Sequence, residues 1–123
     1  MRAIVFLIAS LGAAAAGLAP ANAADCEVRR YPIVINLNTE VEMIARSGKD
    51  CRVRFPKDEG FEAEQNEIGD RPHYGGVRVS GASTVYYRSN PGYKGPDRFS
   101  FTLCGAEGER RGCSEVRVKV RVR

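Results

Sequence analysis

The carboxyl-terminal eight residues alternate strictly between valine and a basic residue. The valines are Val116, Val118, Val120 and Val122. The basic residues are Arg117, Lys119, Arg121 and Arg123. Successive side chains of a β-strand point to opposite faces, so this pattern predicts a strand with one buried valine face and one solvated basic face.

Shorter runs of the same period recur along the chain, separated by turn residues. They fall within 33–38, 41–46, 51–55 and 99–103. Turn signals such as Asn90-Pro91-Gly92 separate these runs, and helical periodicity is almost absent. The sequence therefore predicts an all-β fold, an antiparallel sandwich of six to seven short strands.

The first 23 residues have the layout of a secretory signal peptide. Arg2 carries one positive charge, an apolar run follows over 3–19, and Ala21-Asn22-Ala23 has the small-x-small form of a cleavage site. This order predicts cleavage after Ala23. It predicts one domain, 24–123, that is periplasmic or secreted and does not span the membrane after cleavage.

The net charge of the predicted mature chain is mildly basic. The full sequence has 19 Lys and Arg and 15 Asp and Glu, so loss of Arg2 leaves 18 − 15 = +3. Dedicated nucleic-acid binders are more basic, and an exported protein has little access to nucleic acid. The sequence therefore predicts no nucleic-acid partner.

The chain has four cysteines and one histidine. The cysteines are Cys26, Cys51, Cys104 and Cys113. No C-x-x-C pair occurs, which argues against a zinc site. In a small exported domain, four cysteines predict two disulfides.

Strand parity favours one of the three possible disulfide connectivities. Cys104 and Cys113 fall on the solvent sides of two strands predicted to form a hairpin, so their sulfurs can meet. Cys51 lies on the apolar side of its strand, and Cys26 pairs with it by the same reasoning. The alternative, Cys51–Cys104, would require Cys104 to face inward. Loop entropy predicts contributions of about 3.5 kcal/mol for Cys26–Cys51 and about 2.7 kcal/mol for Cys104–Cys113.

An acidic stretch at 57–70 does not fit the strand pattern. Its carboxylates are Asp58, Glu59, Glu62, Glu64, Glu67 and Asp70. We expect an exposed, mobile loop, with a short helix over 62–67 as the alternative. Glu62 and Glu67 could form the carboxylate pair of a glycoside hydrolase, but a mobile loop rarely fixes two carboxyls at the required separation. The chain also lacks tryptophan, the usual sugar-stacking residue.

The segment from Tyr93 to Phe101 resembles a signature of bacterial immunoglobulin-like and cadherin-like domains. The pattern is aromatic-x-Gly-x-Asp-x-Phe-x-aromatic, and its residues here are Tyr93, Gly95, Asp97, Phe99 and Phe101. Tyr87 stands for the aromatic residue that precedes the motif, and 72–77 resembles the upstream Pro-x-x-Gly-x-Val. The resemblance covers 72–122 and implies an immunoglobulin-like sandwich of a kind that serves adhesion or spacing in surface proteins.

The motif has a structural rationale. Gly95 permits a turn, Asp97 can accept hydrogen bonds from backbone amides, and Phe99 and Phe101 anchor a core strand. Some cadherin-like domains bind calcium, but no D-x-[DN]-x-[DN]-G loop is present, so we predict no metal site and no cofactor.

No motif in the sequence predicts catalysis. His73 is the single imidazole, and neither a nucleophile nor an orienting acid is placed near it by any recognisable pattern. We expect His73 to be a loop residue of the Pro-x-x-Gly turn and the protein not to be an enzyme. A small hydrolase is the least favoured function.

The basic residues of the last strand are the predicted anionic-ligand surface. Side chains on one face of a strand recur every 6.6 Å or so, which gives Arg117, Lys119, Arg121 and Arg123 a row about 20 Å long. Arg52, Arg54, Arg110 and Arg111 could extend it. The competing explanation is that these charges only solubilise the sheet and prevent edge-to-edge pairing, or are neutralised by neighbouring acids.

These features favour a non-catalytic binding or interaction module of the periplasm or cell envelope. Its expected partner is a protein or an anionic envelope polymer. The alternative is an inhibitor or accessory subunit of an envelope protein, with the acidic stretch as its contact surface.

Overall fold

The computed structural model describes Gly12, residues 26–29, 32–57 and 60–123. The predicted signal peptide lies outside the described residues apart from Gly12, as do Asp58 and Glu59. The described part of the chain forms eight strands, one or two more than predicted, and no helix. They are β1 (Cys26–Arg29), β2 (Thr39–Ala45), β3 (Asp50–Arg54), β4 (Glu62–Ile68), β5 (Gly75–Ser80), β6 (Thr84–Ser89), β7 (Gly95–Glu107) and β8 (Arg110–Val122).

The strands form two sheets. One has five strands in the order β1-β2-β8-β7-β4, and the other has three in the order β3-β6-β5. Neighbouring strands are antiparallel except β2 and β8, which are parallel with Val41 opposite Val118. The all-β sandwich-like fold is therefore confirmed, but the larger sheet is mixed rather than wholly antiparallel.

The core lies between the two sheets, and most of its side chains are ones that the alternation assigned to it. From the larger sheet it receives Val41, Met43, Phe99, Phe101, Leu103, Val116 and Val118, each at most 2% exposed. From the smaller sheet it receives Cys51, Val53, Val85 and Tyr87. Burial of one such side chain stabilises a fold by about 1.5–3 kcal/mol, so the valine and phenylalanine alternation determines which face of each strand points inward.

Both predicted disulfides are present. Cys104 and Cys113 are directly opposite each other on β7 and β8, with Cα atoms 4.0 Å apart, on the outer face of the sheet. Cys26 on β1 joins Cys51 on β3, with Cα atoms 5.2 Å apart. Because β1 and β3 belong to different sheets, this second bond links the two layers at one edge of the sandwich.

The strand predicted over 33–38 is wrong. Asn36 has a left-handed backbone with φ of 66°, and the N–H of Leu37 donates to the carbonyl of Val34, which closes a turn. Asparagine tolerates this conformation better than most residues, so it ends the extended run. Ile33 and Ile35 are still buried, but Leu37 is 58% exposed.

The loop predicted over 57–70 is also wrong in its main part, because β4 occupies residues 62 to 68. This strand pairs with β7, with Glu62 opposite Ala106 and Ile68 opposite Phe101. It lies at the edge of the larger sheet and is exposed on most of its length. Only Ala63 and Ile68 of this edge strand pack against the core, and both are only partly buried, which explains why its composition resembled that of a loop.

Candidate binding faces

Asp97, the acid of the predicted turn motif, joins three segments of the chain. Its Oδ1 accepts hydrogen bonds from the backbone N–H groups of His73 and Arg98, each at 2.9 Å. Its Oδ2 accepts from the N–H of Tyr74 at 3.1 Å and from the Tyr87 hydroxyl at 2.8 Å. The expected role of Asp97 as an acceptor for backbone amides is confirmed. This carboxylate fixes the chain before β5 against β6 and β7.

The other motif residues also have structural positions. Gly95 has φ of 135°, a conformation that favours glycine, at the first position of β7. Tyr93 stacks on Tyr74 with ring centroids 4.2 Å apart, and its hydroxyl donates to the Pro96 carbonyl. Phe99 stacks against the buried Tyr87 ring with centroids 5.6 Å apart. The motif therefore organises the fold rather than presenting a reactive group.

The predicted basic row lies in the middle of the larger sheet, on the outer face of β8. Its acidic neighbours are close: Glu40 on β2 is opposite Arg117, and Glu42 is opposite Lys119. Because β8 pairs on both sides, with β2 and β7, its charges cannot serve to block edge-to-edge pairing. The edge-blocking part of the competing explanation is therefore wrong for this strand.

Acidic residues neutralise half of this row. Arg117 donates to Glu115 at 2.8 Å, and Lys119 lies 3.8 Å from Glu40. Glu42 is ion-paired with Arg29 of β1, and Arg121 is opposite Ile44 on β2 and Pro96 on β7. Arg123 lies beyond the end of β8 and is exposed.

The expected extension of the row is only partly correct. Arg110 and Arg111 do continue β8, but Arg111 is ion-paired with Glu64 of β4. Arg52 and Arg54 belong to β3 in the other sheet and project from the opposite side of the sandwich. The sequence could not show that the arginines of β3 and those of β8 lie on opposite sides of the sandwich, because the assignment of strands to sheets depends on the tertiary structure.

A second charged surface covers the outer face of the smaller sheet. The register places nine residues in three cross-strand rows: Asp50, Arg88 and Gly76; Arg52, Tyr86 and Arg78; Arg54, Thr84 and Ser80. We name these nine residues the arginine–tyrosine face. Tyr86 is at its centre, and its charge is +4 − 1 = +3 because Asp50 is the single carboxylate among the nine.

Asp50 fixes two of the four arginines. Its Oδ1 accepts from Arg88 Nε at 2.8 Å, and its Oδ2 accepts from Arg78 Nη2 at 3.2 Å. These hydrogen bonds, Arg78's first and then Arg88's, hold the pKa of the Asp50 carboxyl below its ordinary value. Asp50 is therefore charged at any pH near neutrality, and it orients both guanidinium groups.

Tyr86 is flanked by arginine on both neighbouring strands. The guanidinium carbon of Arg78 lies 4.4 Å from the centre of the Tyr86 ring, a cation–π contact. Arg52 is directly opposite Tyr86 on the other side, and Arg54 is two residues further along β3. Among the described residues no carboxylate is paired with Arg52 or Arg54, and both are exposed. These two cations are available to a ligand.

The sequence contained a weak signal for this face. Arg52 and Arg54 alternate with core residues in β3, and Arg88 follows Tyr86 at the same spacing in β6. That alternation shows which side chains point outward. It does not show that Arg78 is adjacent to them, because β5 is joined to the group only through its register with β6.

Glu62 and Glu67 cannot form the carboxylate pair of a glycoside hydrolase. They are near opposite ends of β4, about 16 Å apart along an extended strand. Glycoside hydrolases require their two carboxyls much closer than this. Glu62 is instead ion-paired with Lys57 at 3.4 Å. Within the described ranges, no group of three or more metal-ligating side chains comes together.

No helix in the described part of the chain is long and apolar enough to cross a membrane. The chain matches no family model and no curated protein. Among solved structures it is similar to a sialyltransferase from Photobacterium damsela, with 11% identity and a TM-score of 0.39. That alignment covers 70% of this chain and 18% of the sialyltransferase chain.

Proposed function

We propose that this chain is a small exported, non-catalytic binding module of the periplasm or cell envelope, which holds an anionic polymer on its arginine–tyrosine face. The observation that carries the proposal is the charge of that face, four arginines against one carboxylate. Guanidinium groups bind carboxylate, sulfate and phosphate oxygens through paired N–H donors. A face that keeps a net positive charge after its ion pairs are counted also attracts polyanions over distance.

The charge of the face, rather than its residue types, favours a polyanion over a folded protein as the ligand. Tyr and Arg are also enriched in protein–protein interfaces, so their presence does not separate the two ligands. The face lacks a large apolar centre, because its central ring, Tyr86, is bordered by Arg52, Arg78 and Arg88. A flexible chain with regularly spaced anions can instead contact several guanidinium groups at once.

The export and the fold family are part of the proposal. The layout of the first 23 residues supports a signal peptide, and two disulfides are compatible with an oxidising compartment. The Tyr93–Phe101 motif supports an immunoglobulin-like or cadherin-like sandwich, in which Asp97 and the aromatic residues have the structural roles that the resemblance implies.

The test compares equal charge reversals on the two outer faces. In one variant Arg52→Glu and Arg54→Glu reverse two charges on the arginine–tyrosine face. In the matched control Arg117→Glu and Lys119→Glu reverse two charges on the basic row. We expect the first variant to lose affinity for an immobilised polyanion by at least about tenfold at low salt, since a charge-assisted contact is worth roughly 1.5–3 kcal/mol.

The same experiment identifies the outcomes that contradict the proposal. Added salt should weaken binding by the unmodified protein, because exposed charges are screened within about 10 Å at 0.1 M ionic strength. An equal loss in both variants would mean that net charge alone retains the protein. A loss confined to the control variant would assign binding to the basic row of β8.

The acidic edge strand supports a second candidate function, that of an accessory subunit or inhibitor. β4 lies at an open edge of the larger sheet and carries Glu62, Glu64 and Glu67. Two of these carboxylates are already ion-paired, with Lys57 and Arg111. Capture of an envelope protein that survives Glu67→Lys with Glu64→Lys would remove β4 from this role.

A further inference from the structure

Two adjacent glycines begin β5, and the structure gives them different environments. A Cβ atom on Gly75 would overlap the backbone carbonyl of Arg88 on β6, so Gly75 is needed for the close approach of the two strands. A Cβ on Gly76 would meet no atom within 4 Å. Gly76 also lacks the left-handed backbone that favours glycine. Neither packing nor conformation therefore requires glycine at position 76.

The missing side chain leaves a notch on the arginine–tyrosine face. Gly76 is directly opposite Arg88, and Arg78 is two residues along the same strand. The depression at this place has a volume of about 620 Å³, and its walls include Tyr86 and Pro91. The floor of the notch is thus formed by Gly76, which has no side chain, and its border carries the guanidinium groups of Arg78 and Arg88.

The guanidinium groups of Arg78 and Arg88, at the border of the notch, use only some of their N–H donors in hydrogen bonds to Asp50. Arg88 uses Nε for Asp50, so both of its terminal amino groups remain available. Arg78 uses one hydrogen from each terminal nitrogen, in contacts of 3.4 and 3.2 Å to the same carboxylate. Arg78, Arg88 and Asp50 together carry +2 − 1 = +1, which matches one singly charged oxyanion. The paired amino groups of a guanidinium favour the coplanar oxygens of a carboxylate.

A second set of free cations lies across the sheet from the notch. Arg52 and Arg78 are separated by two strand spacings, about 10 Å, with Tyr86 between them. Tyr86 is partly exposed, and it combines an apolar ring with a hydroxyl. A sugar ring has the complementary character, with C–H groups on its faces and hydroxyls around its rim.

We propose that the notch above Gly76 binds one carboxylate of a uronic-acid polysaccharide, whose chain crosses Tyr86 and places a further carboxylate on Arg52. This inference rests on the proposed function, and it adds the ligand class and the position of one subsite. Asp50 is a positioning residue in this site, because it orients Arg78 and Arg88 without contacting the ligand.

The test fills the notch without removing any charge. Gly76→Val places a β-branched side chain in the open space, and such residues are favoured in strands, so the unfolding midpoint should stay equal or rise. Ala106→Val is the matched control, since it adds the same side chain to a strand of the larger sheet, outside the arginine–tyrosine face. By calorimetric titration with a polygalacturonate oligomer, Gly76→Val should weaken binding at least about tenfold and Ala106→Val should not.

The outcomes separate this inference from the broader proposal. If Gly76→Val binds the oligomer as tightly as the unmodified protein, while reversal of Arg52 and Arg54 weakens binding, the notch is not a subsite but the face still is. If polyphosphate or dextran sulfate binds more tightly than the uronate oligomer, the carboxylate assignment is wrong. If the unmodified protein binds none of the three polymers, the proposed function fails together with the inference.

Discussion

Replacement of Asp97 tests the claim that one carboxylate holds the end of the sandwich together. Asp97 is 9% exposed and Tyr87 is fully buried, so water cannot substitute freely for the bonds between them. In Asp97→Ala the Tyr87 hydroxyl and the N–H groups of His73 and Tyr74 lose their acceptor. A buried donor without a partner costs about 1–3 kcal/mol, with less where solvent reaches it.

The free energy of unfolding should therefore fall by about 4 kcal/mol in Asp97→Ala, a large part of the roughly 5–15 kcal/mol typical of a small domain. Asp97→Asn keeps the acceptor for His73 and Arg98 but presents an amide donor to the Tyr74 N–H. We expect the free energy of unfolding of Asp97→Asn to fall by about 2 kcal/mol. Tyr87→Phe removes one donor and leaves the Asp97 carboxylate its backbone partners, so we expect the free energy of unfolding to fall by about 1 kcal/mol.

Urea denaturation of the oxidised protein provides the measurement, with the slope of the transition as the check that each variant unfolds in the same way. The predicted order of destabilisation is Asp97→Ala, then Asp97→Asn, then Tyr87→Phe. The reasoning would be refuted if Asp97→Asn were as stable as the unmodified protein, because charge and acceptor count at Oδ2 would then be irrelevant.

Two further predictions concern the disulfides and alkaline pH. Paired Cys→Ala substitution of Cys26 and Cys51 should lower the free energy of unfolding by about 3.5 kcal/mol, and that of Cys104 and Cys113 by about 2.7 kcal/mol; the reverse order in urea denaturation would contradict the loop-entropy account. Burial, and secondarily the hydrogen bond to the adjacent carboxylate, raises the pKa of Tyr87 above its ordinary 10.0. The unfolded chain then loses this proton first, so stability should fall as pH rises past 10.0, and Tyr87→Phe should flatten that fall; an unchanged slope would disprove the linkage.

Strand parity predicted most of what is local in this fold. It assigned Val116 and Phe99 to the core and Cys104 to the outer face, because successive side chains of an extended chain must alternate. The Cys104–Cys113 pairing followed from the same rule, since two cysteines on neighbouring strands of one sheet can join only where their side chains leave the same face.

Parity failed where the physical reason for alternation was missing. β4 packs against the core only in part, through Ala63 and Ile68, and a register shift between Ala63 and Gln65 interrupts its alternation. Asn66, opposite the buried Leu103, stands where a core strand would carry an apolar residue. The 33–38 run failed for a different reason. Ile33 and Ile35 are buried as the pattern requires, but Asn36 turns the chain between them and Leu37.

The sequence by itself determined the inward and outward sides of the strands that alternate clearly, such as β2, β3, β7 and β8, because these depend on spacing within a segment. The same parity gave the pairing of Cys104 with Cys113. Only the tertiary structure decided which charged residues share a surface. Arg117 and Lys119 acquire acidic neighbours because β2 joins β8, whereas Arg52, Arg78 and Arg88 meet around Tyr86 because three strands distant in sequence are in register. The charge of a sheet surface is the sum over the side chains of neighbouring strands. The order of those strands is fixed by packing of the whole chain rather than by any one segment of it.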